Sequence, residues 1–186
     1  SGLDPGEFKA FGIDIGERLQ RTTEGLKALQ SALRGDVLGE SGVRLNPPVP
    51  ELCERIWQSG QSVVGAQHVA KAGSGLLLAR SIIGPSTDEP TDQQQAPTVQ
   101  AYLDAWQGNP GKPRIGMSRG IYPAPDKQSA LAHLREDVLR VAKAQQGRFP
   151  AGESLESYCR RLHIFYGHPE EVAEGLRGDK IFPYAT

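Results

Sequence analysis

Apolar residues recur at helical spacing near the amino terminus and then give way to two short unbroken runs. From Ile15 the steps through Leu19, Thr22, Leu26, Leu29 and Leu33 are four, three, four, three and four. That places one stripe on one face of a helix, with Arg18, Arg21, Glu24 and Lys27 mostly elsewhere. Asp4-Pro5-Gly6-Glu7 reads as a start signal: Asp caps, Pro suits the first helical position, and Glu follows three residues on. Gly35 reads as the stop. The pattern predicts one helix of about thirty residues, roughly 45 Å long, with a bend near Gly16 or Gly25.

Residues 36–50 read as a loop, ending in Asn46-Pro47-Pro48-Val49-Pro50, whose prolines impose an extended approach. The chain then runs through Ile56-Trp57-Gln58-Ser59, the linker Gly60-Gln61-Ser62, an amphipathic stretch from Val63 to Ala72, and Leu76-Leu77-Leu78-Ala79-Arg80. Two apolar runs around a helix predict a βαβ unit, which makes the strands parallel. Ser62 suits the helix cap, and Val63, Ala66, Val69 and Ala70 suit its inner face. In parallel α/β folds the loops leaving the carboxyl ends of strands bind ligands, so Gly60-Gln61-Ser62 is a candidate loop.

Residues 81–97 are polar and irregular, as in a functional lid or a disordered segment. A helix is expected over 98–106 and one strand over 114–123. Asp126 opens a further helix that ends at Gly147. A short helix covers 154–162, and a last one starts at His168-Pro169-Glu170-Glu171 and stops at Gly178. The closing run, Ile181-Phe182-Pro183-Tyr184-Ala185-Thr186, is apolar and marks the start of another strand. The chain holds too few strands to complete the sheet that the βαβ unit begins.

The 186 residues are enough for one domain with its own core. The 21 basic and 22 acidic residues leave a net charge of −1, which argues against a nucleic-acid partner. Nothing approaches 18 consecutive apolar residues, so no membrane span is expected. Ser1-Gly2-Leu3-Asp4-Pro5 lacks the basic start and apolar stretch of a signal peptide. Cys53 and Cys159, far apart in sequence, suit a reduced pair, and the expected setting is cytoplasmic. No clustered Cys or His spacing points to a metal.

Four pieces in this order resemble one family: Phe8-Lys9-Ala10-Phe11-Gly12 with Glu24-Gly25-Leu26-Lys27-Ala28-Leu29; Arg55-Ile56-Trp57-Gln58-Ser59 running into Ala72-Gly73-Ser74-Gly75-Leu76-Leu77-Leu78-Ala79-Arg80; Arg114-Ile115-Gly116-Met117-Ser118-Arg119; and Tyr166-Gly167-His168-Pro169-Glu170-Glu171-Val172-Ala173. Together they are similar to the carboxyl-terminal half of the bacterial luciferase-like, FMN-dependent monooxygenases. The resemblance implies a helix-rich α/β fold: a partial (β/α)8 TIM barrel, with residues 1–186 as a single domain. On that template the chain begins at the end of the fifth strand and stops before the eighth. It also implies reduced FMN as cofactor, dioxygen and a small organic molecule as substrates, and a flavin reductase as partner. The family's catalytic histidine falls on the missing strands, so no catalytic residue is named. Unpaired strand edges make a homo-oligomer the expected state.

The resemblance points to six cofactor contacts: Ser1 at a helix start suited to phosphate, Trp57, Gln58 and Ser59 at a strand end, and Arg80 and Ser81 at the next. Each has a plainer alternative. Asp4 would repel a phosphate near Ser1, Trp57 suits a core aromatic, and Arg80 suits a surface ion pair with Asp88 or Glu89. Two other readings stay open, a non-catalytic flavin- or small-ligand-binding half-barrel and a remnant with no ligand.

Overall fold

The structure is a computed structural model and describes residues 5–40, 42–80, 89–109, 111–144, 149 and 151–186. These residues form two compact units, Ser1–Ile56 and Trp57–Thr186.

In the first unit the long helix is divided. Helix α1 (Pro5–Ala10) ends at Gly12, whose φ of 64° lies in the left-handed region that only glycine adopts freely. A short 3-10 turn follows at Ile15–Glu17, begun by Asp14, whose carboxylate accepts the Gly16 N–H at 2.8 Å. Helix α2 (Arg18–Leu33) then carries the apolar stripe, and Gly35, with φ 81°, closes it as expected. The break falls at Gly12 and Asp14, ahead of either expected bend. There, a positive φ and a competing Asp side chain interrupt the helical ladder together. No residue of α1 or α2 is buried.

The second unit begins with the βαβ unit. Strand β1 (Trp57–Ser59), helix α3 (Val63–Lys71) and strand β2 (Gly75–Leu78) occur as the apolar runs predict, with β1 and β2 parallel and adjacent. The Ser62 hydroxyl accepts the Gly65 N–H at 3.1 Å, which caps α3. Helix α4 (Thr91–Ala105) follows and packs on α3. Strand β3 (Ile115–Met117) joins the other edge of β2, giving a parallel sheet of order β1-β2-β3. Leu76, Leu78 and Ile115 are buried from this sheet against Ala66, Val69, Ala70, Val99, Tyr102 and Trp106 of the helix layer. Buried Tyr102 ties the layers. Its hydroxyl donates to the Ser74 carbonyl at 3.0 Å and accepts the Arg114 N–H at 3.2 Å.

The opposite face of the sheet is open and holds Trp57, Ser59 and Leu77, with Leu77 44% exposed. Its floor is glycine by necessity. A Cβ at Gly75 would reach the Trp57 indole, 2.6 Å from Cδ2, and one at Gly116 would come within 2.7 Å of Leu77 Cδ2. The indole therefore lies close over the backbone of the neighbouring strands.

The single strand expected over 114–123 is two strands. The chain turns at Ser118-Arg119 and enters β4 (Gly120–Pro123), which pairs in parallel with β5 (Ile164–Gly167) in a separate two-stranded sheet. Helices α5 (Lys127–Ala144), α6 (Leu155–Arg161) and α7 (Pro169–Arg177) accompany it. Val138, Ala142, Phe149, Tyr158 and Cys159 form the second core. Asp126 begins α5 by accepting the Ser129 N–H at 2.7 Å, and Ser154 caps α6. His168 and Glu171 form a reciprocal capping box on α7. The stop expected at Gly147 lies outside the described residues. At the carboxyl end the expected strand is replaced by a 3-10 turn at Phe182–Tyr184, after which Ala185 makes one isolated parallel bridge to Ile115 and the Thr186 N–H donates to the Ile115 carbonyl at 3.0 Å. Among the described residues the strands make two small parallel sheets and no closed barrel.

Candidate functional site

Parallel pairing brings the carboxyl ends of β1, β2 and β3 to one end of their sheet. Ser59 ends β1, Ala79 and Arg80 follow β2, and Ser118 follows β3. Ser59 is exposed and leads into Gly60, whose N–H donates to the Leu77 carbonyl at 3.2 Å. Gly60 has no room for a side chain, since a Cβ would lie 2.6 Å from Leu76 Cδ1. The linker therefore hugs the sheet and presents exposed Gln61 and Ser62 at the start of α3. Arg80 is exposed.

The expected contacts separate on this geometry. Ser59 and Arg80 share the carboxyl end of the sheet. Trp57 opens β1 at the other end, opposite Gly75, and the Arg114 guanidinium lies 5.5 Å from its ring centre. One face of the indole is thus occupied by a cation from the same sheet. Gln58 is half-buried and in register with Leu76, on the helix-layer side. Ser1 and Ser81 lie outside the described residues, as do residues 82–88 of the irregular 81–97 segment. From Thr91 on, that segment is helical: α4 starts at Thr91, runs through Gln93-Gln94-Gln95 and contains Pro97.

Two arrangements at this end of the sheet have no counterpart in the sequence reading. Arg119 and Asp179 form a bidentate ion pair, Nε–Oδ2 2.6 Å and Nη2–Oδ1 3.2 Å, with side chains 3% and 2% exposed. Arg119 Nη1 also donates to the Ser118 carbonyl, and Asp179 accepts the Ile181 N–H at 2.8 Å. Asp92, at the start of α4, accepts the neighbouring Lys180 N–H at 3.0 Å. Together these bonds pin the turn after α7 to the point where the chain leaves the first sheet. The second arrangement is Gln95, whose amide donates to the Ala79 carbonyl at 2.8 Å, one residue before Arg80. Pro90-Thr91-Asp92, with its early acid, carries a helix-start signal that would have moved the start of α4 back to Thr91 and exposed the i, i+4 pair Thr91 and Gln95.

A separate cleft of about 380 Å³ lies beside β5, lined by Arg160 and Glu156 of α6, Tyr166, and Lys127, Glu171 and Val172. Burial first, then Cys159 and Glu156, hold the Tyr166 hydroxyl above its ordinary pKa, against a smaller opposing effect of Arg160. Lys127 and Glu171 are 3.4 Å apart across its rim. Among the described residues no group of three or more His, Cys, Asp or Glu could hold a metal ion, and no helix is long and apolar enough to cross a membrane.

The arrangement defines a parallel α/β protein with a polar carboxyl end on its main sheet. No protein-family model matches the sequence, and no curated protein sequence is similar to it. Among solved structures the chain is similar to the monooxygenase RslO1 from Streptomyces bottropensis, with a TM-score of 0.68 and 23% identity. The match covers all of this chain and 57% of that one. At this identity the likeness establishes the fold.

Proposed function

We propose that this chain is the carboxyl-terminal part of a flavin-dependent, luciferase-like monooxygenase, built on a partial (β/α)8 barrel. On this reading it binds reduced FMN at the carboxyl end of β1-β2-β3. The observation that carries the reading is the parallel β1-α3-β2 unit, whose strand ends present Ser59 and Arg80 together, on a fold shared with a monooxygenase. The donor set fits the cofactor's phosphate: a hydroxyl, the exposed linker at the start of α3, and an exposed guanidinium whose charge complements an anion. Bound there, the flavin would supply the redox chemistry with dioxygen. The chain's own part is to hold the anionic end with Arg80 and Ser59. A small organic substrate and a separate flavin reductase complete the proposed system.

The test is the visible spectrum of the purified protein with added FMN, before and after reduction. The expected result is retained flavin whose affinity falls about tenfold in Arg80→Ala, the loss of roughly one charge-assisted contact. Reductase-linked oxygen uptake then separates the enzyme from a non-catalytic flavin binder, which would retain flavin without turnover. A protein that retains no flavin overturns both.

A further inference from the structure

We propose that Thr91 and Gln95 hold a buried water molecule at the carboxyl end of β2. The two residues are 4% and 5% exposed. Thr91 Oγ1 and Gln95 Oε1 are both buried without a hydrogen-bond partner. Such atoms are rare in folded proteins, because a buried polar atom left unpaired loses its hydration with nothing in return. The orientation of the Gln95 amide is fixed. Its partner, the Ala79 carbonyl at 2.8 Å, can only accept, so the nitrogen faces β2 and the oxygen is left over. Thr91 stands at the first position of α4, where no earlier turn of the helix offers its hydroxyl a carbonyl.

The two residues are one turn apart on the same helix face, with Cβ atoms about 5–6 Å from each other. One water spans such a gap. It donates to Gln95 Oε1 and accepts from, or donates to, the Thr91 hydroxyl. A larger solute is a poor fit, because both atoms are closed off from solvent. Buried waters take this role, joining otherwise unsatisfied polar groups. The water would steady the amide that grips Ala79, and with it the backbone leading into Arg80. The site itself does not depend on the flavin reading.

A high-resolution crystal structure of the unmodified chain tests the site directly. The expected result is electron density for one water within hydrogen-bond distance of both Thr91 Oγ1 and Gln95 Oε1. A companion measurement uses Thr91→Val, which keeps the shape and removes the hydroxyl. If the water is held, the variant loses that density and its thermal midpoint falls by about 2–4 °C. Density absent from the unmodified chain would overturn the proposal, and so would a midpoint that is unchanged or raised in Thr91→Val.

Discussion

The most consequential side chains are the charged and reactive ones that the fold encloses. Arg119 and Asp179 are almost fully enclosed and paired in a bidentate fork. Removing one partner leaves the other charged, buried and alone, at a cost of about 3–5 kcal/mol. Arg119→Met should therefore strongly lower the denaturant midpoint. The double variant Arg119→Met with Asp179→Leu should recover most of that loss, because two apolar residues leave no stranded charge. Denaturant unfolding of the three proteins checks this, and a double variant no more stable than the single one would refute it. Cys159 is the second case. It is free and fully buried, and burial first, then Glu156, pushes its thiol up to about 11. A raised thiol pKa means the unfolded chain loses its proton first. This residue's contribution thus begins to favour unfolding as pH climbs past about 8.5, the ordinary thiol value. In the native protein at about pH 8, iodoacetamide should label half-buried Cys53 well before Cys159, with Cys159 reacting only on unfolding. Peptide mass mapping reads the order, and early labelling of Cys159 would contradict the burial argument.

At the scale of elements, helix α6 is fixed by a charge-assisted cluster at its start. Glu153 accepts Arg161 through two bonds of 2.6 Å and the Ser157 hydroxyl at 2.7 Å. Arg161 first, then Ser157, holds its carboxyl below the ordinary carboxylate value. A depressed carboxylate stabilises the fold above its unfolded pKa, about 4.3, and loses that contribution as pH falls through the folded value. The midpoint gap between the unmodified chain and Glu153→Gln should be open near neutrality and close on acidification. A gap that is flat with pH, or that widens in acid, would show the cluster is not acting through the carboxylate. The local devices of this kind were mostly legible in the sequence. Ser62, Asp126, Ser154 and the His168–Glu171 box all begin helices where the residue pattern places them. So was the parallel β1–β2 pair, because both strands are short and apolar and the linking helix is amphipathic. The illegible parts were set by tertiary contacts. Residues 114–123 read as one strand, with Ile115, Met117 and Ile121 on one side and Ser118 and Tyr122 on the other, and the division at Ser118-Arg119 goes with Asp179, sixty residues away. Strand β5 follows the Arg160-Arg161 end of α6 with only Leu162 and His163 between, so no turn cluster announced it. The second half of α4 lies where a helix was expected over 98–106, but its first two turns were hidden by its own glutamines and Pro97, which read as loop until Gln95 finds the Ala79 carbonyl. At the site, Ser59 and Arg80 were readable from strand ends. Arg114 over Trp57 was not, because it comes from a strand nearly sixty residues on.

The molecule as a whole leaves one sheet with work still to do. Strand β1 has a single strand neighbour among the described residues, β2. The face away from α3 and α4 exposes Leu77 at 44%, and Val64 is 55% exposed at the start of α3. At the far side Ala185 makes one isolated bridge to Ile115. RslO1 shares this fold over 57% of its own length, so in that protein the corresponding sheet belongs to a longer chain. An open parallel edge beside an apolar face is a template for another strand, and sheets of this type are ordinarily covered on both faces. The chain on its own is therefore expected to self-associate through the β1 edge and the Leu77 face. Sedimentation velocity over a concentration series should show dimers or larger species increasing with concentration. Leu77→Lys places a charge on the open face, where joining two copies would bury it, and should shift the distribution toward monomer without melting the sheet. A compact monomer at every concentration would sink the idea. A Leu77→Lys protein that associates as strongly as the parent would sink the face as its cause and leave the edge alone to explain it.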